Sequence, residues 1–156
     1  MIVFPTGKSA DDYKDGEIPD YKGSHYYHTD KTRREVAAFL ARAKECIKED
    51  KFVVLEEGGT RRKNSDFLNL YGLYARSEQK RVLLAVDVEE FCHSIISSDG
   101  DELYVFCARR RLYKTATGPC DVAIYIKHSC PEKAQPFDVV VSMHELESPI
   151  DLVFID

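Results

Sequence analysis

The stretch Val122-Ala123-Ile124-Tyr125-Ile126-Lys127, followed beyond a proline-bearing loop by Phe137-Asp138-Val139-Val140-Val141-Ser142-Met143-His144, decides the fold. Both runs are rich in β-branched and aromatic residues, and the loop holds Pro131 and Pro136, which end ladder pairing. They read as two antiparallel strands. Alternate residues of a strand face opposite sides. Val122, Ile124 and Ile126 therefore share one face, and Ala123, Tyr125 and Lys127 the other. In the second run Val139, Val141 and Met143 are opposed by Val140, Ser142 and His144. The apolar sets must meet other elements, which leaves Tyr125, Lys127, Ser142 and His144 on a more polar face. A loop centred near residues 134–135 puts Tyr125 opposite His144 and Lys127 opposite Ser142, neighbours ~5 Å apart at Cβ. A centre two residues earlier carries His144 toward Asp121 and breaks the cluster.

Working outward, Leu103–Ala108 is a third such run. The first half of the chain has the helical period instead. Thr32 and Glu35 form a capping box, and Val36, Phe39, Leu40, Ala43 and Ile47 make one apolar stripe. Phe52–Leu55 is a short strand, closed by Gly58-Gly59. Asn64 or Ser65 caps a second helix bearing Phe67, Leu68 and Tyr71 and ended by Gly72. Ser77 opens a third that includes Val82–Leu84, and residues 87–93 read as a further helical turn. The expected fold is α+β, with N-terminal helices packed on a mainly antiparallel β-sheet. Residues 1–30 carry Pro5, Gly7, Gly16, Pro19 and Gly23 and lack a sustained period. They read as an acidic arm with a short strand at Ile2–Phe4 and the cluster His25-Tyr26-Tyr27-His28 at its end. Residues 31–156 form the domain.

The chain has 156 residues, 44% hydrophobic and 31% charged, enough for a core without disulfide or metal staples. The 11% aromatic share argues against disorder. No stretch approaches the ~20 apolar residues of a membrane span, and the acidic, tyrosine-rich start is unlike a signal peptide. The expected address is cytoplasmic. Cys46, Cys92, Cys107, Cys120 and Cys130 make an odd number without a Cys-x-x-Cys pair, so they read chiefly as small core hydrophobes. The net charge of −5 runs against a polyanion-binding protein. It is unevenly spread: residues 1–30 hold six acids against three lysines, leaving 21 acids against 19 bases in residues 31–156. Basic knots lie at Arg61-Arg62-Lys63 and Arg109-Arg110-Arg111.

The polar face carries the residue types that metal-independent RNA cleavage requires. The 2′-hydroxyl attacks the adjacent phosphorus. A base must take its proton, an acid must protonate the leaving 5′-oxygen, and cations must hold the phosphate. Histidine, with an unperturbed pKa of ~6.5, suits the first two roles, and Lys and Arg the third. His144, His93, Tyr125 and Lys127 are the candidate catalytic residues. Arg61, Arg62, Lys63, Arg109, Arg110 and Arg111 are candidates for RNA binding. The same residues on a sheet face are ordinarily solvated, and Asn64 reads as a helix cap. No close metal-ligand set such as His-x-x-x-His is present, and no cofactor is expected.

From Thr32 onward the order of segments resembles the MqsR-type toxins of the RelE-like superfamily, in the branch common in Gram-positive bacteria and their phages. The matching pieces are the helix Thr32–Ile47, Arg61-Arg62-Lys63-Asn64 with Phe67-Leu68 and Gly72-Leu73, and Asp87-Val88-Glu89-Glu90-Phe91. They continue with Tyr104-Val105-Phe106, Ile124-Tyr125-Ile126-Lys127, Val141-Ser142-Met143-His144-Glu145, Pro149-Ile150 and Phe154. The resemblance implies a RelE-like fold, mRNA cleavage as an mRNA interferase of a toxin–antitoxin system, and a cognate antitoxin as partner. It places the family's catalytic lysine on His93, its sheet tyrosine on Tyr125, and the basic residue of its last catalytic strand on His144. A glutamine used by some members falls near Val105, and Cys107–Cys120 is longer than usual. The alternative is a member that kept the fold, lost activity and serves as an interaction module, phage-derived in origin.

Overall fold

In the computed structural model, residues 1–18, 20–21, 24–56 and 61–155 are described. Pro19 and Gly23 of the arm, and Gly58-Gly59 after the first domain strand, lie outside them. Helix α1 spans Arg33–Lys48, α2 Arg62–Leu70 and α3 Arg76–Leu84. The strands are β1 (Ile2–Val3), β2 (Phe52–Val54), β3 (Phe91–Ile96), β4 (Glu102–Lys114), β5 (Gly118–Ser129), β6 (Asp138–Glu145) and β7 (Ile150–Asp151). Five strands form one sheet in the order β2-β6-β5-β4-β3. Only the edge strand β2 runs parallel to its neighbour; the other pairings are antiparallel. β1 and β7 make a separate antiparallel pair. The chain is thus α+β, and no helix among the described residues is long and apolar enough to cross a membrane.

Local chemistry accounts for the helices. The Thr32 hydroxyl accepts from the Glu35 amide and the Glu35 carboxylate accepts from the Thr32 amide, both at 3.1 Å, so α1 starts on its capping box. Its stripe Val36, Phe39, Leu40, Ala43, Cys46 and Ile47 is buried. α2 ends on Gly72, whose φ of +64° favours glycine. The Leu73 amide reaches back to the Leu68 carbonyl at 2.8 Å, closing a Schellman turn. The start of α2 differs from expectation. It begins at Arg62, and Asn64 lies inside the first turn with its amide directed into the protein.

The expected helical turn over residues 87–93 is half right. Val88–Glu90 is one 3-10 turn, capped by Asp87, and Phe91 then enters β3. Residues 91–95 are buried and pair with β4, and that pairing overrides the short helical signal. β4 and β5 also run well past the expected Leu103–Ala108 and Val122–Lys127. Their hairpin closes at Lys114 opposite Gly118, so the triple arginine sits within a strand.

The β5–β6 register places Tyr125 opposite His144 and Lys127 opposite Ser142, as the loop centred near 134–135 requires. A bulge follows: His128 opposes Val140, so Val141 has no partner on β5. The extra residue reverses facing below it. Val140 and Met143 are fully buried under the helices, whereas Val139 and Val141 turn to the second face. The expected grouping of Val139, Val141 and Met143 is corrected by this bulge.

The helices cover the face of Val122, Ile124 and Ile126, making the main core. The second face is less open than its polarity suggests. Val3, Cys92, Val105, Cys107, Ala123, Leu146, Ile150 and Leu152 form a smaller buried cluster there. The N-terminal arm therefore packs on the sheet through β1, and His28 adds a bridge to Ser94 at the β3 edge. All five cysteines are free thiols, and Cys120 alone is partly exposed.

Candidate functional site

The uncovered part of the second face is a cleft of about 460 Å³. Its floor is Tyr125 and Lys127 from β5 and Val141, Ser142 and His144 from β6. Arg61 and Lys63, at the start of α2, and the segment Leu146–Ile150 form its sides, and Tyr21 of the arm closes one end. Four expected residues on two strands and two from the first basic knot therefore meet around one cavity.

His144 is held on two sides. Its ring stacks on Tyr125 with centroids 5.3 Å apart and planes 17° from parallel. Its Nδ1 lies 2.8 Å from the Glu145 carbonyl oxygen. A carbonyl only accepts, so Nδ1 carries a proton, and in the neutral form of the ring Nε2 is the proton acceptor; Glu147 Oε1 lies 4.0 Å from the same Nδ1. Lys127 sits half-buried one row along, and desolvation lowers the pKa of its ammonium below the usual lysine value. Burial raises the Tyr125 phenol pKa, which keeps that group protonated as a hydrogen-bond donor. Lys63 is paired with Glu147 at 2.8 and 2.9 Å, neutralising the carboxylate on the cleft rim.

Beneath the floor, Asn64 fixes the bulge. Its Nδ2 donates to the Leu55 carbonyl at 2.7 Å and to the Val141 carbonyl at 3.0 Å, and its Oδ1 accepts from the Met143 amide at 2.9 Å. The side chain is 1% exposed. Asn64 thus ties α2, the chain after β2 and β6 together next to Ser142 and His144. Reading Asn64 as a helix cap missed this, because only the tertiary arrangement supplies its three backbone partners.

The remaining candidates lie elsewhere. His93 belongs to the same sheet face, paired with Val105, which in turn pairs with Lys127. It is 2% exposed, however, and roofed by Tyr21 and Tyr27 with ring centroids 4.6 and 4.9 Å away. Desolvation, and secondarily the Lys127 charge, pull its pKa down to about 4, so it is neutral near pH 7. It does not line the cleft. Arg62 is exposed outside it. Strand alternation splits the triple arginine: Arg110 binds Glu90 at 2.6 and 2.8 Å and the Ala85 carbonyl at 2.9 Å, while Arg111 pairs with Asp121 at 3.2 Å. Arg109 borders a separate shallow cavity against residues 4–8 of the arm. The structure therefore brings Tyr125, Lys127, His144, Arg61 and Lys63 together and leaves Arg62, His93 and Arg109–Arg111 outside. Tyr21, Ser142 and Glu147 complete the lining. Tyr21 lies in a segment with no pattern to place it, and Glu147 belongs to no motif.

Among the described residues no group of three His, Cys, Asp or Glu side chains is placed to hold a metal ion. Comparison with protein-family models, with curated proteins and with solved structures gives no match. The fold and cleft define an α+β protein with a histidine–tyrosine–lysine cluster on its sheet, and the chemistry of that cluster is the guide to function.

Proposed function

We propose that this chain is a toxin-like endoribonuclease that cuts mRNA through 2′-hydroxyl attack, with the RelE-like character that its resemblance to MqsR-type toxins implies. The observation that carries the reading is the fixed imidazole of His144, stacked on Tyr125 with Nε2 as acceptor, in one cleft with Lys127. His144 Nε2 takes the 2′ proton as the 2′-oxygen–phosphorus bond forms. The phosphorus–5′-oxygen bond breaks, and the partly desolvated Lys127 ammonium supplies the leaving oxygen with a proton. The products are a 2′,3′-cyclic phosphate and a 5′-hydroxyl. Tyr125 orients the imidazole and donates to a phosphate oxygen, while Arg61 and Lys63 hold flanking phosphate. Its partners on this reading are mRNA and an antitoxin that occludes the cleft, and its address is the cytoplasm.

A second reading has an observation of its own. Glu147 on the rim, Tyr21 across one end and the net charge of −5 suit a protein ligand better than a polyanion. On this reading the chain is a catalytically inactive interaction module using the same cleft.

Induced expression in a bacterial host separates the two, with wild type beside His144→Ala and Tyr125→Phe, scoring growth and mRNA integrity. The nuclease reading expects arrest with mRNA loss in wild type. It expects His144→Ala to fold and to cut about 10²–10⁴-fold more slowly. Normal growth and intact mRNA from folded, well-expressed wild type would leave the interaction module standing.

A further inference from the structure

The cleft continues along the sheet past Lys127. A second cavity of about 410 Å³ shares Arg61 and Val141 with it and lies over the opposite end of β5 and β6. The β6 bulge sets the floor there: it turns Val139 and Val141 to this face, where regular alternation would place Val140. Successive side-chain rows on a face are two residues, about 6.8 Å, apart. The Tyr125–His144 and Lys127–Ser142 rows and the valine floor beyond them thus form one track. At its far side stands Phe137, 44% exposed, a large aromatic ring left at the surface. Asp99 and Asp101, from the β3–β4 turn, line the same cavity, as does Lys133.

We propose that this second cavity is a subsite for one unpaired nucleobase of an RNA strand whose scissile phosphate lies at Lys127 and His144. The inference rests on the nuclease reading for its substrate. A flat apolar floor with an exposed aromatic ring suits a base face, because every base can stack. Arg61, common to both cavities, holds the phosphate between base and scissile bond, and the Lys133 ammonium is placed for the phosphate beyond the base. The carboxylates of Asp99 and Asp101 repel phosphate, so they meet the base edge, where they accept hydrogen bonds from an exocyclic amino group. Uracil's edge donor, N3–H, lies between two carbonyl oxygens that repel the carboxylates, so the subsite favours cytosine, adenine or guanine over uracil.

The test uses the full chain with ¹³C-labelled phenylalanine rings, titrated with CMP and with UMP, beside cleavage of single-stranded oligoribonucleotides. CMP is expected to shift the Phe137 ring signal at concentrations about fivefold below those UMP requires, and Asp99→Ala with Asp101→Ala is expected to abolish the difference. In cleavage, Phe137→Ala is expected to raise KM about tenfold at unchanged kcat, and Phe137→Tyr to restore it. No shift with either nucleotide, together with an unchanged KM in Phe137→Ala, overturns the subsite while leaving a His144-dependent nuclease intact. A Phe137 shift in a chain that cuts no RNA keeps the nucleotide site and removes the nuclease reading. Equal response to CMP and UMP overturns the amino-group preference.

Discussion

A histidine ring enclosed by Tyr21 and Tyr27, with Nδ1 unpartnered among the described residues, has only one comfortable protonation state. His93 folds neutral, its pKa depressed to about 4, and in the unfolded chain it returns to ~6.5. Above pH 6.5 both states are neutral and the residue adds no pH dependence. Between 6.5 and 4 the unfolded chain binds the extra proton, so stability falls as pH drops, and below 4 the loss levels off. The full span amounts to about 3 kcal/mol as an upper figure. His93→Phe is expected to keep the ring stack and to be less acid-sensitive than wild type by that amount, measured by denaturant unfolding at pH 7, 5.5 and 4. Equal pH dependence in the two proteins would mean that His93 is protonated in the fold. The position that the family resemblance assigns to a catalytic lysine is thus occupied here by a packing residue, and His144 takes the proton-transfer role in the proposed reaction.

Elements, rather than single residues, create the cleft. Helix α2 packs into the core through Phe67 and Leu68, and Asn64, whose amide satisfies three backbone groups, ties its start to the bulge of β6. Asn64→Ala leaves those buried groups without partners and is expected to cost about 2–4 kcal/mol. Because the bulge sets the facing of the residues along β6, the same variant is expected to raise kcat losses out of proportion to KM, with the Tyr125–His144 ring contact weakened in NMR. Asn64→Asp, which keeps the acceptor but sets a carboxylate against the Leu55 and Val141 carbonyls, is expected to cost at least as much. A stability loss with kcat and the ring contact unchanged would show that Asn64 only supports the fold. The arm is likewise part of the element scale. β1 pairs with β7, and Val3 is buried with Ile150 and Leu152, so removing residues 1–30 would dismantle the second cluster as well as uncover Tyr125. Point changes at Tyr21 are the cleaner probe of whether the arm restricts the cleft.

For the whole molecule, the balance of charge limits how RNA is bound. The chain is net −5, and the cleft offers Arg61, Lys63 and Lys127, of which Lys63 already faces Glu147. Three phosphate contacts in the cleft, with Lys133 of the second cavity as a fourth, correspond to a slope of log K against log salt of about −2 to −3 for a single strand. A non-cleavable oligoribonucleotide titrated between low and physiological salt is expected to give that shallow slope, with binding energy coming from base contacts. A slope several times steeper would point to a different, more basic surface. Of the triple arginine, Arg110 is committed to Glu90, whereas Arg109 and Arg111 are exposed outside the cleft and are the basic surface that a steep slope would point to.

By itself the sequence determined the α+β class, the capping and apolar stripe of α1 and the end of α2 at Gly72, and it left two registers for β5 and β6, of which the fold took the one that sets Tyr125 against His144. These are short-range consequences of periodicity, capping chemistry and proline placement, and each is written in a few consecutive residues. The tertiary structure alone decided the rest. Residues 91–95 became a strand because β4 offered them a pairing partner. Val141 bulged because Asn64, 77 positions earlier, holds its carbonyl. Tyr21 walled the cleft and Tyr21 with Tyr27 sealed His93 because the arm packs where β1 meets β7. Basic residues adjacent in sequence were sent to opposite sides of a strand, while Arg61, Lys127 and His144 were gathered into one cavity. Long-range packing chooses among partners that local sequence leaves equivalent, and in this protein the cleft is assembled from such choices.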